Sequence, residues 1–268
     1  MLKERESFSA SVFTEKWNSL EEYLLYLKQF FAYSFIESNI PLNANILELG
    51  FGNGFGTKIL EKKSKKVFGL DVDSAALSHA KQKYSSNKIS FQLYDGKKIP
   101  FKENFFDAIV STHVIEHVEK DSDFVSEAKR VLNDKGAFFL TTPNAEIRGT
   151  KEKQPWNEFH FKEYSVKELN KLLSEQFNSV DVFGITAGKE ILEIEEKRIK
   201  NSIRLASFDP LKLRKFFPNK LKLFIKKNLK NFLGQEKTEF NLSDFSDKDF
   251  FISKQPQKSL DLFAVCRK

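Results

Sequence analysis

The sequence predicts an α/β protein with a mainly parallel, seven-stranded sheet and helices on both faces. Short apolar runs alternate with amphipathic stretches along most of the chain, which is typical of parallel strands joined by crossover helices. The first apolar run, residues 45–49, ends in the glycine-dense turn 50–56, and the next run ends at Asp71. A strand, a glycine turn, a helix and a second strand that ends in an acid indicate a Rossmann-like nucleotide-binding unit.

Each element has its own local signal. Apolar residues three or four positions apart predict a helix over residues 16–37, before the first strand. Short apolar runs predict strands, and the amphipathic stretches between them predict helices. The predicted strands are residues 45–49, 66–71, 89–94, 107–111, 137–142, 179–185 and 260–265, and the predicted helices after the first are one that ends near residue 63, then 74–84, 119–132 and 167–176.

Composition restricts the class of protein. The 268 residues carry a net charge of +7, and residues 211–230 are rich in lysine and contain no acid. Cys266 is the single cysteine, which excludes a disulfide framework and a cysteine-rich metal site within one chain. Residues 1–6 lack the layout of a signal peptide, and no apolar run approaches the ~20 residues of a membrane span. We therefore expect a cytoplasmic protein.

The glycine turn and Asp71 carry the binding chemistry of this unit. Gly50, Gly52 and Gly54 can adopt a positive φ and let the backbone lie against a ligand, while the following helix offers free N–H groups. A carboxylate at Asp71, at the tip of the second strand, can accept both hydroxyls of a ribose. Asp73 competes for this role, but we expect it to cap the helix that begins at Ser74.

These residues resemble the first motif of the class I S-adenosylmethionine-dependent methyltransferases, an acid followed by Leu-Gly-x-Gly-x-Gly. Glu48 supplies the acid, and its charge suits a cationic methyl donor better than a pyrophosphate. Residues 94–96, 99–101, 105–110 and 131–136 resemble the later landmarks of the family, in the same order. The resemblance implies S-adenosyl-L-methionine as the cofactor and disfavours a nicotinamide oxidoreductase.

The resemblance also implies a domain organisation. The last strand is expected to lie antiparallel beside the sixth. Residues 1–186 and 259–268 then form the methyltransferase domain, and residues 187–258 form a helical insertion before the last strand. The helix at 16–37 is expected either to cover the donor or only to pack on the sheet edge.

The resemblance assigns the donor contacts residue by residue. Glu48 and the backbone of Gly50, Gly52 and Gly54 would hold the methionine part, and Asp71 the ribose. Asp95 with the backbone of Gly96 would bind the adenine edge, and His113 would lie near the methionine moiety. The competing interpretations are a helix cap for Asp71 and a turn-forming role for Asp95.

Two histidines are candidates for the general base. His117 lies in the loop 111–117 at the carboxyl end of the fourth strand, where open α/β sheets bind ligands. His160 lies in a polar, aromatic-rich segment that resembles methyltransferases of glycan and polysaccharide biosynthesis. The alternatives are that His117 only holds its loop and that His160 only binds the turn 141–144.

The spacing His113-x-x-Glu116-His117 also matches an inverted zinc-protease pattern. It follows a strand directly and lies within the methyltransferase order of landmarks, so we expect no metal here. A divalent ion at Glu116 and His117 is the alternative.

The predicted activity is methyl transfer to a small-molecule acceptor, a sugar hydroxyl of a saccharide or of a lipid-linked glycan precursor. The alternatives are a quinone or other isoprenoid lipid as acceptor, and a non-catalytic binding protein that retains the fold. Residues 211–233 are predicted to form a basic amphipathic helix, which suits peripheral contact with an anionic membrane as well as a solvated face. No nucleic-acid partner is expected, and the oligomeric state is left open.

Overall fold

A computed structural model describes residues 17, 19–150, 155, 157, 159–207 and 242–268. The strands are β1 (Ala44–Leu49), β2 (Ser64–Asp71), β3 (Ile89–Leu93), β4 (Phe106–Thr112), β5 (Leu132–Pro143), β6 (Ser179–Ala187), β7 (Phe250–Ser253) and β8 (Asp261–Arg267). The α-helices are α1 (Leu20–Asn39), α2 (Phe55–Leu60), α3 (Ser74–Tyr84), α4 (Asp121–Val131), α5 (Ala145–Arg148), α6 (Val166–Ser174) and α7 (Lys189–Ser207).

The strands of the described residues form one sheet in the order β3-β2-β1-β4-β5-β8-β6-β7. Neighbouring strands from β3 to β5 run parallel, and β8 lies antiparallel between β5 and β6. The predicted α/β fold and the antiparallel last strand are confirmed. Since the chain leaves β1 toward β2 on one side and β4 lies on the other, the carboxyl ends of β1 and β4 border the crevice where such sheets bind ligands.

The structure adds an eighth strand to the seven that the sequence predicts. Residues Phe250–Ser253 pair antiparallel with β6 at the edge of the sheet. The strand is four residues long, and Phe250 is its one buried residue. A run this short carries no periodicity, so tertiary pairing decides its conformation. It falls within the predicted insertion, 187–258.

Both faces of the sheet are covered, which explains why the central strands are apolar without alternation. Ile46 packs with α1 and α2 in one core cluster, while its neighbour Leu47 packs with α4 and α6 in the other. Both side chains are fully buried. The two core layers therefore fix β1, whose carboxyl end leads into the glycine turn.

The first helix packs against α2 and bonds to Glu48, near the end of β1, through the Tyr33 hydroxyl. It begins at Leu20 rather than at residue 16, because the Ser19 hydroxyl accepts the backbone N–H of Glu22 and caps it. Residues 211–233 lie outside the described part of the chain. Among the described residues, no helix combines the length and the apolar character needed to cross a bilayer.

Candidate active site at the carboxyl edge of the sheet

The glycine turn lies between β1 and α2 and adopts backbone conformations that favour glycine. Gly50, Gly52 and Gly54 have φ angles of 78°, 55° and 84°. A Cβ at Gly50 would lie 2.4 Å from Cγ2 of Val114, which follows β4. The two loops thus approach each other so closely that only glycine fits at this position.

Asp71 anchors this turn. Its Oδ2 accepts the backbone N–H of Gly52 at 2.8 Å, and its Oδ1 accepts the N–H groups of Val72 and Asp73. The side chain is 6% exposed. Asp73 instead accepts the N–H groups of the first turn of α3, so its predicted role as helix cap is confirmed. The competing interpretation of Asp71 as the cap does not match this geometry.

Glu48 is buried beneath the turn. Its carboxylate accepts the hydroxyl of Tyr33 from α1, at 2.6 Å, and the hydroxyl of Thr57 from α2. Burial raises the pKa of Glu48 to about 7, against the lowering effect of the two hydroxyl bonds, and Asp71 raises it further. Glu48 therefore links α1 to α2 through these two hydrogen bonds.

Asp95 and Gly96 lie beyond the end of β3, which is next to β2. The Asp95 Oδ1 accepts the backbone N–H groups of Lys97 and Lys98, and these bonds lower its pKa. Gly96 has a φ of 73°. The turn-forming role considered for Asp95 is thus present, and its contact with an adenine stays a prediction.

His113 follows β4 directly and has a φ of 54°, which is uncommon for a residue with a side chain. Its Nε2 lies 3.0 Å from Asp261 Oδ2, and its Nδ1 lies 3.4 Å from Glu116 Oε1. Burial alone would lower the pKa of His113, but the two carboxylates outweigh it and raise the pKa to about 9. A cationic imidazole therefore lies beside the crevice between β1 and β4.

Asp261 also binds Lys28 of α1, with an Nζ to Oδ2 distance of 2.8 Å. Burial opposes ionisation of Asp261, but Lys28 and His113 hold its pKa well below the usual range. Both Lys28 and Asp261 are almost fully buried. Sequence reasoning missed this pair, although an acid at the start of an otherwise apolar last strand was a visible signal.

Glu116 and His117 lie just after β4, and His160 comes together with them there. The imidazole rings of the two histidines have centroids 4.7 Å apart at 88°. One ligand atom from each of the three side chains lies within 4.8 Å of the others. The segment that carries His160 is docked by the backbone N–H of Phe161, which donates to the Glu116 carbonyl at 2.8 Å.

Each of these histidines is oriented through its Nδ1 atom. His117 Nδ1 donates to the Phe159 carbonyl at 2.9 Å, and His160 Nδ1 donates to Glu163 Oε1 at 2.6 Å. The alternative that His160 binds the turn 141–144 is wrong, because its partners are Glu163 and Asn157. His117 binds the neighbouring segment through the Phe159 carbonyl, whereas its alternative was to hold only its own loop, and its role as a base stays a prediction.

Comparisons with known proteins identify the family. The family described as "Methyltransferase domain" matches residues 47–140. The chain is 30% identical over 154 residues to an S-adenosylmethionine-dependent methyltransferase of Mycolicibacterium smegmatis, which covers 57% of this chain and 59% of that relative. It is 31% identical over 136 residues to the Bacillus subtilis methyltransferase YrhH, covering 48% of this chain and 74% of that relative. The chain belongs to the S-adenosylmethionine-dependent methyltransferases.

Two further comparisons concern the fold and a more distant relative of this methyltransferase. A crystal structure of an S-adenosylmethionine-dependent methyltransferase from Thermotoga maritima has a TM-score of 0.58 at 13% identity and covers 92% of this chain and 93% of that chain. The quinone-biosynthesis C-methyltransferase UbiE of Desulfotalea psychrophila is 26% identical over 138 residues, half of this chain and 54% of that relative. The methyltransferase thus spans little more than half the length of the first curated relative it matches.

Glu163 is the other residue of this methyltransferase site that sequence reasoning missed. Its carboxylate binds His160, Arg148 (Nε to Oε1, 2.9 Å) and Thr150 (Oγ1 to Oε2, 2.5 Å). Burial raises the pKa of Glu163, but the His160 bond and the Arg148 charge outweigh it and lower the pKa. The sequence did contain a signal for this contact, because Glu163 is an acid three positions after His160, a spacing that brings two side chains together in a turn.

Proposed function

We propose that this protein transfers a methyl group from S-adenosyl-L-methionine to a hydroxyl of a saccharide or of a lipid-linked glycan precursor. One observation carries the proposal. The glycine turn follows β1 and is bound by Asp71 at the end of β2, whereas His117, which packs against His160, follows β4 on the other side of β1. A donor held at the glycine turn would present its methyl group toward an acceptor beside the two histidines.

The residues on the donor side fit this cofactor. The turn from Gly50 to Gly54 exposes backbone at positive φ, which allows close approach of a ligand. Asp71 offers a carboxylate to the ribose hydroxyls. Asp95 and Gly96 follow β3, the strand next to β2, and would bind the adenine. Cationic His113 would attract the carboxylate of the methionine part. We propose that Glu48 acts indirectly, by holding the turn in place.

The reaction needs a proton acceptor on the other side. An oxygen lone pair of the acceptor forms a bond to the methyl carbon, and the carbon–sulfur bond breaks with its electron pair passing to sulfur. The hydroxyl loses its proton, and a positioned base typically contributes a factor of ~10²–10⁴ to such a step. We propose that His117 and His160 serve this proton transfer. Because the neutral thioether formed from the sulfonium is a good leaving group, alignment of the acceptor with the methyl carbon would supply the rest of the rate enhancement.

The donor side is tested by calorimetry. Asp71→Ala should weaken S-adenosylmethionine binding about 100-fold or more, because two charge-assisted hydrogen bonds of about 1.5–3 kcal/mol each are lost. Asp73→Ala is the matched control. It loses the cap of α3, at a cost of about 1 kcal/mol in stability, and should keep donor affinity. A folded wild type that does not bind the donor would overturn the methyltransferase proposal.

The acceptor side is tested by product mass. The protein and donor are incubated with nucleotide sugars and lipid-linked sugars, and a mass gain of one methylene is sought. His117→Ala and His160→Ala should slow the reaction while leaving donor affinity unchanged. A methylated quinone with unmodified sugars would replace the saccharide proposal by the second candidate.

That second candidate is methylation of a quinone or another isoprenoid lipid. It is favoured by the similarity to the quinone-biosynthesis C-methyltransferase UbiE. Both candidates suit a membrane-bound acceptor, and we propose that the basic stretch 211–233 mediates contact with anionic lipid. Binding to phosphatidylglycerol vesicles should then fall when Lys222, Lys226 and Lys227 are changed to Gln. Equal binding to neutral vesicles would contradict that proposal.

A further inference from the structure

We propose that Glu116, His117 and His160 bind one divalent transition-metal ion. Their ligand atoms already lie within 4.8 Å of one another. Metal–nitrogen and metal–oxygen bonds of ~2.0–2.2 Å bring such atoms closer than this, so closure on an ion requires only side-chain adjustment. The Glu116 Oε1 atom is 4.0 Å from Nε2 of His117.

The hydrogen bonds behind the two imidazoles orient them as metal ligands. The Nδ1 atom of His117 donates to a backbone carbonyl, and the Nδ1 atom of His160 donates to the Glu163 carboxylate. In a neutral imidazole this leaves the lone pair on Nε2. A histidine that ligates a metal ordinarily donates its other ring N–H to a carboxylate or carbonyl in this way. Two independent histidines therefore carry the same arrangement.

The carboxylate is also preformed. Glu116 is 1% exposed, and its Oε2 accepts the Thr142 hydroxyl at 3.1 Å. Its Oε1 lies 4.0 Å from Nε2 of His117 and also 3.4 Å from Nδ1 of His113, so an ion would share this oxygen with the His113 imidazole. The Asn157 amide contacts Nε2 of His160 at 2.8 Å and must turn away when an ion binds. Glu116 and His160 lie at the carboxyl edge of the sheet, where we expect the acceptor to bind.

The donor set indicates the kind of metal. Two imidazole nitrogens and one carboxylate suit Mn²⁺, Fe²⁺, Co²⁺ or Zn²⁺, whereas Mg²⁺ and Ca²⁺ prefer oxygen ligands. Three protein ligands also leave coordination positions open, as catalytic sites do. The sequence alone did not predict an ion, because it did not show that His160 and Glu163 lie beside Glu116 and His117.

The inference deepens the proposed function and rests on it for its chemical meaning. An ion at this cluster would bind the acceptor hydroxyl and lower its pKa, so that the proton leaves for solvent as the methyl group arrives. The two histidines would then promote loss of the acceptor proton through the ion that they ligate, and neither imidazole would accept the proton itself.

The experiment measures metal binding directly, without an acceptor. Chelator-treated protein is titrated with Co²⁺, and the visible absorption that develops on nitrogen coordination is followed. A saturable one-to-one signal is expected. His117→Ala and His160→Ala should each weaken binding at least about 10-fold, and Glu163→Gln, which alters the carboxylate behind His160, should weaken it by ~10-fold.

The chain offers a matched control, since two of its four histidines, His79 and His113, lie outside the cluster and only His113 contacts it. His79 is exposed on α3, and His79→Ala should bind Co²⁺ like the wild type. No saturable binding by the folded wild type, or equal loss in His79→Ala and His117→Ala, would overturn the inference. Donor calorimetry on the same samples separates this failure from failure of the proposed function. Thermal unfolding confirms that each variant is folded.

Discussion

The Tyr33 hydroxyl donates to the Glu48 carboxylate at 2.6 Å. The same hydroxyl lies 2.6 Å from the Thr112 hydroxyl, so one ring on α1 joins the carboxyl ends of β1 and β4. Tyr33 is almost fully buried, and its ring packs directly over Gly56 at the start of α2. The first helix is therefore tied to the two strands that border the proposed site.

Tyr33→Phe should lower the free energy of unfolding by about 1–3 kcal/mol, because a buried carboxylate loses a hydrogen-bond donor. Urea unfolding at pH 8, where Glu48 is ionised, measures the change. Tyr23→Phe is the matched control, since Tyr23 donates to the partly buried Phe245 carbonyl at 3.2 Å and should cost less. Equal costs for the two variants would contradict this role of Tyr33.

Gly56→Ala should destabilise the protein by about 1–3 kcal/mol through overpacking. A Cβ at this position would lie 2.0 Å from Cζ of the Tyr33 ring. In a Tyr33→Ala background the same change should become neutral or stabilising, because alanine is the better helix former by ~0.5–1 kcal/mol. A double-mutant cycle by urea unfolding checks this coupling, and additive costs would exclude it.

Stability should fall as the pH rises through the range in which Glu48 titrates. Its pKa is raised from 4.5 to about 7 in the folded protein, so the folded state binds this proton more tightly than the unfolded chain. This tighter proton binding stabilises the folded protein by roughly 3 kcal/mol below about pH 4.5, and the stabilisation is lost by about pH 7.

Glu48→Gln removes this titration and keeps the shape of the side chain. Between pH 5 and pH 8, the free energy of unfolding should fall less in the variant than in the wild type, because the variant has no titrating group at this position. Urea unfolding at both pH values measures the difference between the two proteins. Parallel pH dependences would show that Glu48 titrates normally.

Lys28→Met should lower the free energy of unfolding by about 3–5 kcal/mol, because it removes the cation from a buried pair with Asp261. Combining it with Asp261→Asn should restore part of the loss, since the buried side chain that has lost its lysine is then neutral, and His113 keeps Glu116 as a partner. Lys200→Met is the control. Its pair with Glu196 is exposed, and loss of that pair should cost less than about 1 kcal/mol. A similar cost for both lysines would contradict the burial argument.

The features that the sequence determined by itself are local. The predicted helix 74–84 matches α3, because its capping residue Asp73 is adjacent to it in sequence. The glycine turn was equally visible, since positive φ angles at Gly50, Gly52 and Gly54 follow from residue type and from position after an apolar strand. The alternation of strands and helices then predicted a mainly parallel sheet, with the candidate site at the carboxyl ends of its strands.

Tertiary structure alone decided which side chains meet. The short edge strand Phe250–Ser253 exists because β6 offers it a pairing edge. His160 reaches His117, and Lys28 reaches Asp261, across long separations in sequence. Such pairs leave no periodic signal, because burial and charge balance select them only after the helices and strands have packed. The sequence thus specified the glycine turn, and packing assembled the histidine cluster and the buried ion pairs.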